Sequence, residues 1–207
     1  MFRTYPYGEL GGHVIGYIGR INEAEKERIE DSDDAGNYRG TESIGKLGIE
    51  QSYERQLHGT TGIEQVETSA SGRAVRTLST TPAVSGDDVM LSLDIRLQKL
   101  VEDLFGDRRG ALVAIDPRTG EVLAMVSKPS FDPNLFVDGI DVESWKELNE
   151  SVDRPLLNRA LRGTYPPGST YKPFMALAAL ETGKRGASMV VNCLLYTSDA
   201  ADDSLRV

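Results

Sequence analysis

The fold class follows from residues 89–126, which read VMLSLDIRLQKLVEDLFGDRRGALVAIDPRTGEVLAMV. Val89–Leu93 predicts a strand, and Asp94 is a suitable N-cap for a helix whose apolar residues recur at helical spacing: Leu97, Leu100, Val101, Leu104 and Phe105. Two apolar runs, 111–115 and 122–126, then flank Asp116–Gly120, where Pro and Gly favour a tight turn. A strand, a helix and a hairpin in succession predict an α+β fold, with an antiparallel sheet packed against helices.

The residues before this stretch are rich in Gly, Thr, Ser and charge and predict a separate domain. Their local patterns predict an extended segment over 13–18, a solvated helix over 22–30, a helix over 44–57 and two strands within 63–78. Pro82–Asp88 has the composition of a linker. We therefore predict a first domain over 1–85 and a second over 86–192.

A long Pro- and Asn-rich loop over 128–167 leads into an apolar helix over 169–182 that Gly183 ends. Pro166, Pro167 and Gly168 direct the chain into this helix and place Ser169 in its first turn, beside unpaired backbone N–H groups and the positive end of the helix dipole. Lys172 lies one turn along on the same face. The helix is apolar nearly all round, which predicts that it is buried, and burial favours a neutral amine that can take the serine proton. A Ser-x-x-Lys spacing alone also arises by chance, with Ser as a cap and Lys in solvent.

Composition argues against nucleic acid binding, a disulfide, a metal site and a histidine triad. The chain carries 23 Lys and Arg against 32 Asp and Glu, a formal charge of −9, which argues against nucleic acid as the main partner. The single cysteine, Cys193, allows no intrachain disulfide. No metal is expected, because Ala35 and Arg39 interrupt the one calcium-loop-like pattern, Asp31–Glu42. His13 and His58 show no ligand pattern, so a histidine-dependent triad is the weaker interpretation.

The stretch Tyr165–Pro173, YPPGSTYKP, resembles the first active-site motif of the penicillin-binding proteins. Further stretches resemble class B members that act in cell elongation: the loop 129–137, the turn 116–120, and, in a non-catalytic pedestal domain, 5–8, 13–18, 45–50, 53–54 and 57–59. The similarity runs from about residue 3 to residue 192.

This resemblance implies a serine D,D-transpeptidase of peptidoglycan, with Ser169 as nucleophile and Lys172 as general base, and no cofactor. The implied partners are peptidoglycan stem peptides, β-lactams that acylate the same serine, and a glycan polymerase of the elongation machinery. The implied location is the inner membrane, with the catalytic domain in the periplasm. The first 85 residues would be part of the pedestal, and 86–192 the start of the transpeptidase domain.

Three departures from the family pattern lead us to expect an internal fragment. The Ser-x-Asn and Lys-Thr-Gly motifs do not occur in the 207 residues, so the substrate-binding residues are unknown. The family's N-terminal membrane helix and the first part of its pedestal also do not occur. Residues 193–207 resemble the translation of a sequencing-library adapter, and we expect them to be non-native. We expect the 207 residues alone not to acylate at a useful rate, because the Lys-Thr-Gly strand supplies an oxyanion-hole donor.

Two other functions stay open at this point. A β-lactamase or β-lactam sensor shares Ser-x-x-Lys chemistry, and turnover of a β-lactam would distinguish it; a lactamase needs no pedestal-like region. A non-catalytic pedestal module that binds a glycan polymerase is the second alternative, and a pull-down with the pedestal alone would test it.

Overall fold

The computed structural model describes residues 3–189. It divides into two compact units, one ending at Gly163 and the other beginning at Thr164. The first unit holds six strands and eight short helices among its described residues: α1 (Gly12–Ile15), β1 (Ile18–Arg20), α2 (Glu23–Glu30), β2 (Ser43–Gly45), α3 (Gly48–Ser52), α4 (Glu54–His58), β3 (Ile63–Thr68), β4 (Ala74–Thr81), α5 (Ile95–Phe105), β5 (Gly110–Ile115), β6 (Val122–Lys128), α6 (Asn134–Val137), α7 (Val142–Glu150) and α8 (Arg159–Arg162). Within 3–189, no helix is long and apolar enough to cross a membrane.

The strands pair as three two-stranded antiparallel sheets: β1 with β2, β3 with β4, and β5 with β6. Ile18 lies opposite Gly45, and Gly110 lies opposite Lys128. Every residue of β3 and β4 is exposed. These short sheets and helices confirm the predicted α+β class.

Helix α5 packs on β6, as the sequence predicts. The Asp94 carboxylate accepts hydrogen bonds from the backbone N–H groups of Arg96 and Leu97, which caps the helix. Gln98 is 2% exposed, and its amide pairs with the backbone of Met125 in both directions, at 2.9 and 3.0 Å. Within the described residues β6 pairs with no strand other than β5, and the Gln98 amide satisfies the Met125 backbone on its other side.

Residues 5–17 meet the loop 129–137 in the best-buried part of this unit. Phe131 is 1% exposed, and it packs edge-on against His13 and Tyr17. The Asn134 side chain makes two hydrogen bonds with the backbone of Tyr5: it accepts from the N–H at 2.9 Å and donates to the carbonyl at 2.8 Å. We name this contact the junction, because it joins chain segments more than 100 residues apart.

The buried carboxylate of Glu102 adds a second link between α5 and the segment before α1. Its Oε1 accepts hydrogen bonds from the backbone N–H of Gly11 at 2.9 Å and from the Gln98 amide at 2.8 Å. Lys128 Nζ lies 3.9 Å from Oε2. A charged acceptor that is satisfied in this way stabilises the link, whereas an unpaired one would weaken it.

Three predicted elements differ in the structure. Residues 13–15 form helix α1, not an extended segment, because Gly11 and Gly16 turn the chain at φ 68° and 77°. A side chain at Gly12 would lie 2.6 Å from the carbonyl oxygen of Phe131, so the junction needs glycine at this position.

Residues 44–57 form β2, α3 and α4, not the single helix that the sequence predicts. Gly48 takes φ 61°, and a Cβ on Gly45 would lie 2.1 Å from the Glu50 carbonyl oxygen, so the chain doubles back tightly between β2 and α3. Residues 89–93 form no strand. Two hydrogen bonds link this segment and the residue after it to the start of β6: the Ser92 hydroxyl donates to the Val122 carbonyl, and the Asp94 N–H donates to the Leu123 carbonyl. Met90 is fully exposed.

His13 makes the junction sensitive to acid. Its side chain is buried, and within the described residues Nε2 has no hydrogen-bond partner. Burial lowers the pKa of His13 below 6.5, and the charge of Arg159 adds to the effect, while the backbone at Pro155 and Pro129 opposes it. The unfolded chain therefore binds the proton more readily than the folded chain.

We predict that the free energy of unfolding falls as the pH drops through the unfolded-state pKa of His13, and that this contribution stops changing below its folded-state pKa. The slope from one such group is at most about 1.4 kcal/mol per pH unit. Urea unfolding at about pH 7.5 and about pH 5 measures it in the wild type, His13→Gln and the control His58→Gln. The loss on acidification should be smaller in His13→Gln than in the other two proteins. Equal losses in all three would contradict the assignment.

Candidate active site

The second unit begins with the turn that carries Ser169. Gly168 has φ 53°, a left-handed conformation that glycine adopts without strain. Gly168–Tyr171 then form one turn of 3₁₀ helix, and Lys172–Glu181 continue it as α9. The predicted helix from Ser169 is thus confirmed, with a tighter first turn.

Ser169 occupies the second position of this 3₁₀ turn, and its side chain is exposed. Its carbonyl accepts a hydrogen bond from the Lys172 backbone N–H. The Thr170 N–H donates to the Pro167 carbonyl at 3.2 Å, and the Thr170 hydroxyl donates to the same oxygen. Prolines and local hydrogen bonds therefore fix the backbone around Ser169 while its hydroxyl stays accessible.

Lys172 is the first residue of α9 and is also exposed. Within residues 3–189, its Nζ makes no hydrogen bond or ion pair, and the hydroxyl of Ser169 makes none with it. Pro173 follows in the first turn of α9, where its missing N–H has no helical partner to lose. The structure brings the two predicted residues to one turn, three positions apart, without a direct bond between them.

Among the described residues α9 is exposed, although its apolar composition predicts a buried helix. None of its side chains is buried, and the large apolar ones remain about half exposed or more: Phe174, Met175, Leu177 and Leu180. Within Thr164–Met189, the ring of Tyr171 stacks on Phe174 with 6.1 Å between the ring centroids. The helix ends as predicted, with Gly183 at φ 65° and the Thr182 hydroxyl donating to the Ala178 carbonyl at 2.7 Å.

The two histidines lie in separate surroundings of the first unit. His13 packs on Phe131, whereas His58 packs on the ring of Tyr38, with Nε2 3.3 Å from Thr41 Oγ1. The structure does not bring the two histidines together. Sequence reasoning missed the buried Arg159, because arginine in a polar loop is normally exposed and nothing in its neighbours signals otherwise.

Comparison with known proteins identifies the class. The sequence model of the penicillin-binding protein dimerisation domain matches residues 1–91, and that of the penicillin-binding protein transpeptidase domain matches residues 110–202. The two ranges together cover most of the chain, and the second contains Ser169 and Lys172. The chain belongs to the penicillin-binding protein family.

Individual relatives narrow the similarity further. The peptidoglycan D,D-transpeptidase MrdA of Escherichia coli K12 is 50% identical over 181 residues, which are 87% of this chain and 29% of that protein. A crystal structure of Pseudomonas aeruginosa PBP2 in complex with WCK 5153 superimposes with a TM-score of 0.75 at 49% identity, covering 91% of this chain and 37% of that one. The Helicobacter pylori PBP2 complex with MreC gives a TM-score of 0.76 at 33% identity, covering 92% and 34%.

The chain thus spans under a third of the length of the E. coli relative. Its predicted domain boundary between residues 85 and 86 falls inside the first matched range and stays a prediction. The expected non-native tail, 193–207, lies outside the described residues.

Proposed function

We propose that the protein carrying these residues is a peptidoglycan D,D-transpeptidase, with Ser169 as nucleophile and Lys172 as general base. The observation that supports it is the Ser-x-x-Lys turn at the start of α9, inside the range that matches the transpeptidase domain. The E. coli relative bears the name of this activity.

The proposed reaction is acyl transfer between peptidoglycan stem peptides. Ser169 Oγ attacks the carbonyl carbon between the two terminal D-alanines, and the neutral Lys172 amine accepts the hydroxyl proton. The C–N bond then breaks, the proton passes to the departing D-alanine amine, and the stem remains on Ser169 as an ester. An amine of a second stem attacks this ester, forms the cross-link and returns a proton to Ser169.

Local backbone polarity favours this chemistry at Ser169. The N–H groups at a helix start lie at its positive end, where they stabilise negative charge on a tetrahedral intermediate; those of Thr170 and Lys172 already donate to the carbonyls of Pro167 and Ser169. A single oxyanion donor is worth on the order of 10²–10³ in rate. A β-lactam reacts at the same oxygen because its strained amide replaces the D-Ala-D-Ala bond, and its opened ring stays attached.

The remaining assignments concern partners and location. A relative from H. pylori was solved in complex with MreC, and we propose that the dimerisation domain of this protein contacts a partner of that kind and a glycan polymerase. We also propose an inner-membrane protein with its catalytic domain in the periplasm, where peptidoglycan stems are cross-linked.

The first test concerns the nucleophile, in the full-length protein. Ser169→Ala should abolish covalent penicillin labelling and leave the melting temperature nearly unchanged, because an exposed hydroxyl contributes at most about 1 kcal/mol. Thr164→Val, at an exposed threonine outside the Gly168–Tyr171 turn, should label normally. Fluorescent-penicillin gels and peptide mass spectrometry are the measurements. Labelling that persists in Ser169→Ala would rule out this nucleophile, and rapid hydrolysis of the penicillin by the wild type would indicate a β-lactamase.

The second test concerns the base. We predict that Lys172→Arg lowers the acylation rate constant nearly as much as Lys172→Ala, by about 10²–10⁴, because a guanidinium stays protonated at neutral pH. Lys184→Arg, which alters a lysine beyond the end of α9, should react like the wild type. Stopped-flow acylation measures all three. A wild-type rate in Lys172→Arg would show that Lys172 acts only as a positive charge.

A further inference from the structure

The Pro167 carbonyl accepts two hydrogen bonds from a single residue, Thr170. The backbone N–H of Thr170 donates to this oxygen at 3.2 Å, and the Thr170 hydroxyl donates to it as well. Gly168 and Ser169 lie between the two residues, so both bonds close the same short turn around Ser169. We name the segment Pro167–Thr170 the serine turn.

Little else in the second unit holds the serine turn. Gly168 takes φ 53°, and glycine has the most backbone freedom of any residue. The N···O distance of 3.2 Å is at the long end of the usual range, so the backbone bond alone is weak. Within Thr164–Met189, the Thr170 hydroxyl makes the only side-chain hydrogen bond to the backbone that precedes α9. The side chain at position 170 therefore contributes directly to the conformation of this turn.

Threonine is chemically suited to this bond. Its hydroxyl can donate to the carbonyl three or four positions earlier, and its branched Cβ restricts the rotamers that it adopts. Thr182 makes the same kind of bond at the other end of α9, where its hydroxyl donates to the Ala178 carbonyl at 2.7 Å. The two threonines thus make comparable bonds within the second unit, but only Thr170 is next to Ser169.

We propose that Thr170 is a positioning residue for the acylation of Ser169, through the bond from its hydroxyl to the Pro167 carbonyl. This bond fixes the backbone on both sides of Ser169 and hence the place from which Oγ attacks. The inference rests on the proposed function, and Thr170 acts through the backbone without touching the substrate. A displacement of about 1 Å can lower a rate about 10²-fold, so a loosened serine turn should slow the chemical step and leave binding unchanged.

The experiment compares four proteins of full length: wild type, Thr170→Val, Thr170→Ser and the matched control Thr182→Val. Valine keeps the branched Cβ and lacks the hydroxyl, whereas serine keeps the hydroxyl and lacks the methyl group. Stopped-flow acylation by a β-lactam gives the limiting rate constant and the half-saturating concentration separately. Peptide mass spectrometry locates the adduct.

We expect Thr170→Val to lower the limiting rate constant about tenfold with the half-saturating concentration unchanged. Thr170→Ser should recover most of the lost rate, because it can still donate to the Pro167 carbonyl. Thr182→Val should react like the wild type, since it loses a comparable bond away from Ser169. A purely structural role for the Thr170 hydroxyl would lower the melting temperature of both valine variants and slow neither.

Four results would overturn the inference. They are a wild-type limiting rate in Thr170→Val, a change confined to its half-saturating concentration, no recovery in Thr170→Ser, and an equal loss of rate in Thr182→Val. With any of these, an adduct on Ser169 in the wild type still upholds the proposed function. A wild type that forms no adduct on Ser169 would overturn both.

Thermal melting shows whether Thr170→Val folds. If it does not, Thr170→Ala takes its place, because alanine also lacks the hydroxyl and is well tolerated at a helix start. The same selective fall in the limiting rate constant, with recovery in Thr170→Ser, is then expected. An unchanged rate in Thr170→Ala would overturn the inference.

Discussion

The buried ring of Phe131 is the contact on which the first unit depends. Phe131 lies in the loop 129–137, which packs against residues 5–17. Residues 5–17 belong to the range matched by the dimerisation domain, and Phe131 belongs to the transpeptidase range. The Asn134 side chain accepts from the Tyr5 N–H and donates to the Tyr5 carbonyl, and the Gly11 N–H donates to the Glu102 carboxylate. These bonds satisfy polar groups that the contact would otherwise bury unpaired. Residues of both matched domains therefore share one core in the unit that ends at Gly163. Apolar packing and hydrogen bonds both stabilise the junction.

Local chemistry allowed part of this fold to be predicted. The Asp94 cap, the 110–128 hairpin and the Gly183 stop each depend on residues within a few positions, and all three are confirmed. The errors arise where distant contacts decide. Residues 13–15 form a helix between the turns at Gly11 and Gly16, with Gly12 close to the Phe131 carbonyl. No pattern around residue 13 reports a neighbour near residue 131. Arg159 was missed for the same reason, since its burial depends on Ser127 and on a turn that precedes it.

The site divides in a similar way. Ten consecutive residues contain both the rigid Pro-Pro-Gly approach and the serine and lysine three positions apart. The sequence therefore locates the two side chains, and the structure brings them to one turn. The environment that would make Lys172 a base depends on what covers α9. The apolar side chains of α9 are exposed among the described residues. Composition predicts that such a helix is covered, but it does not identify the surface that covers it.

The central claim is that Ser169 accepts a stem acyl group from a D-Ala-D-Ala donor, and trapping that intermediate tests it most directly. The full-length protein would be mixed with a D-Ala-D-Ala stem peptide, quenched in acid and digested with trypsin. Because Pro173 protects the bond after Lys172, the site lies on one peptide, Gly163–Lys184. The account predicts that this peptide gains, on Ser169, the mass of the stem peptide minus that of D-alanine, as free D-alanine appears. Release of D-alanine with the adduct on another residue would contradict it.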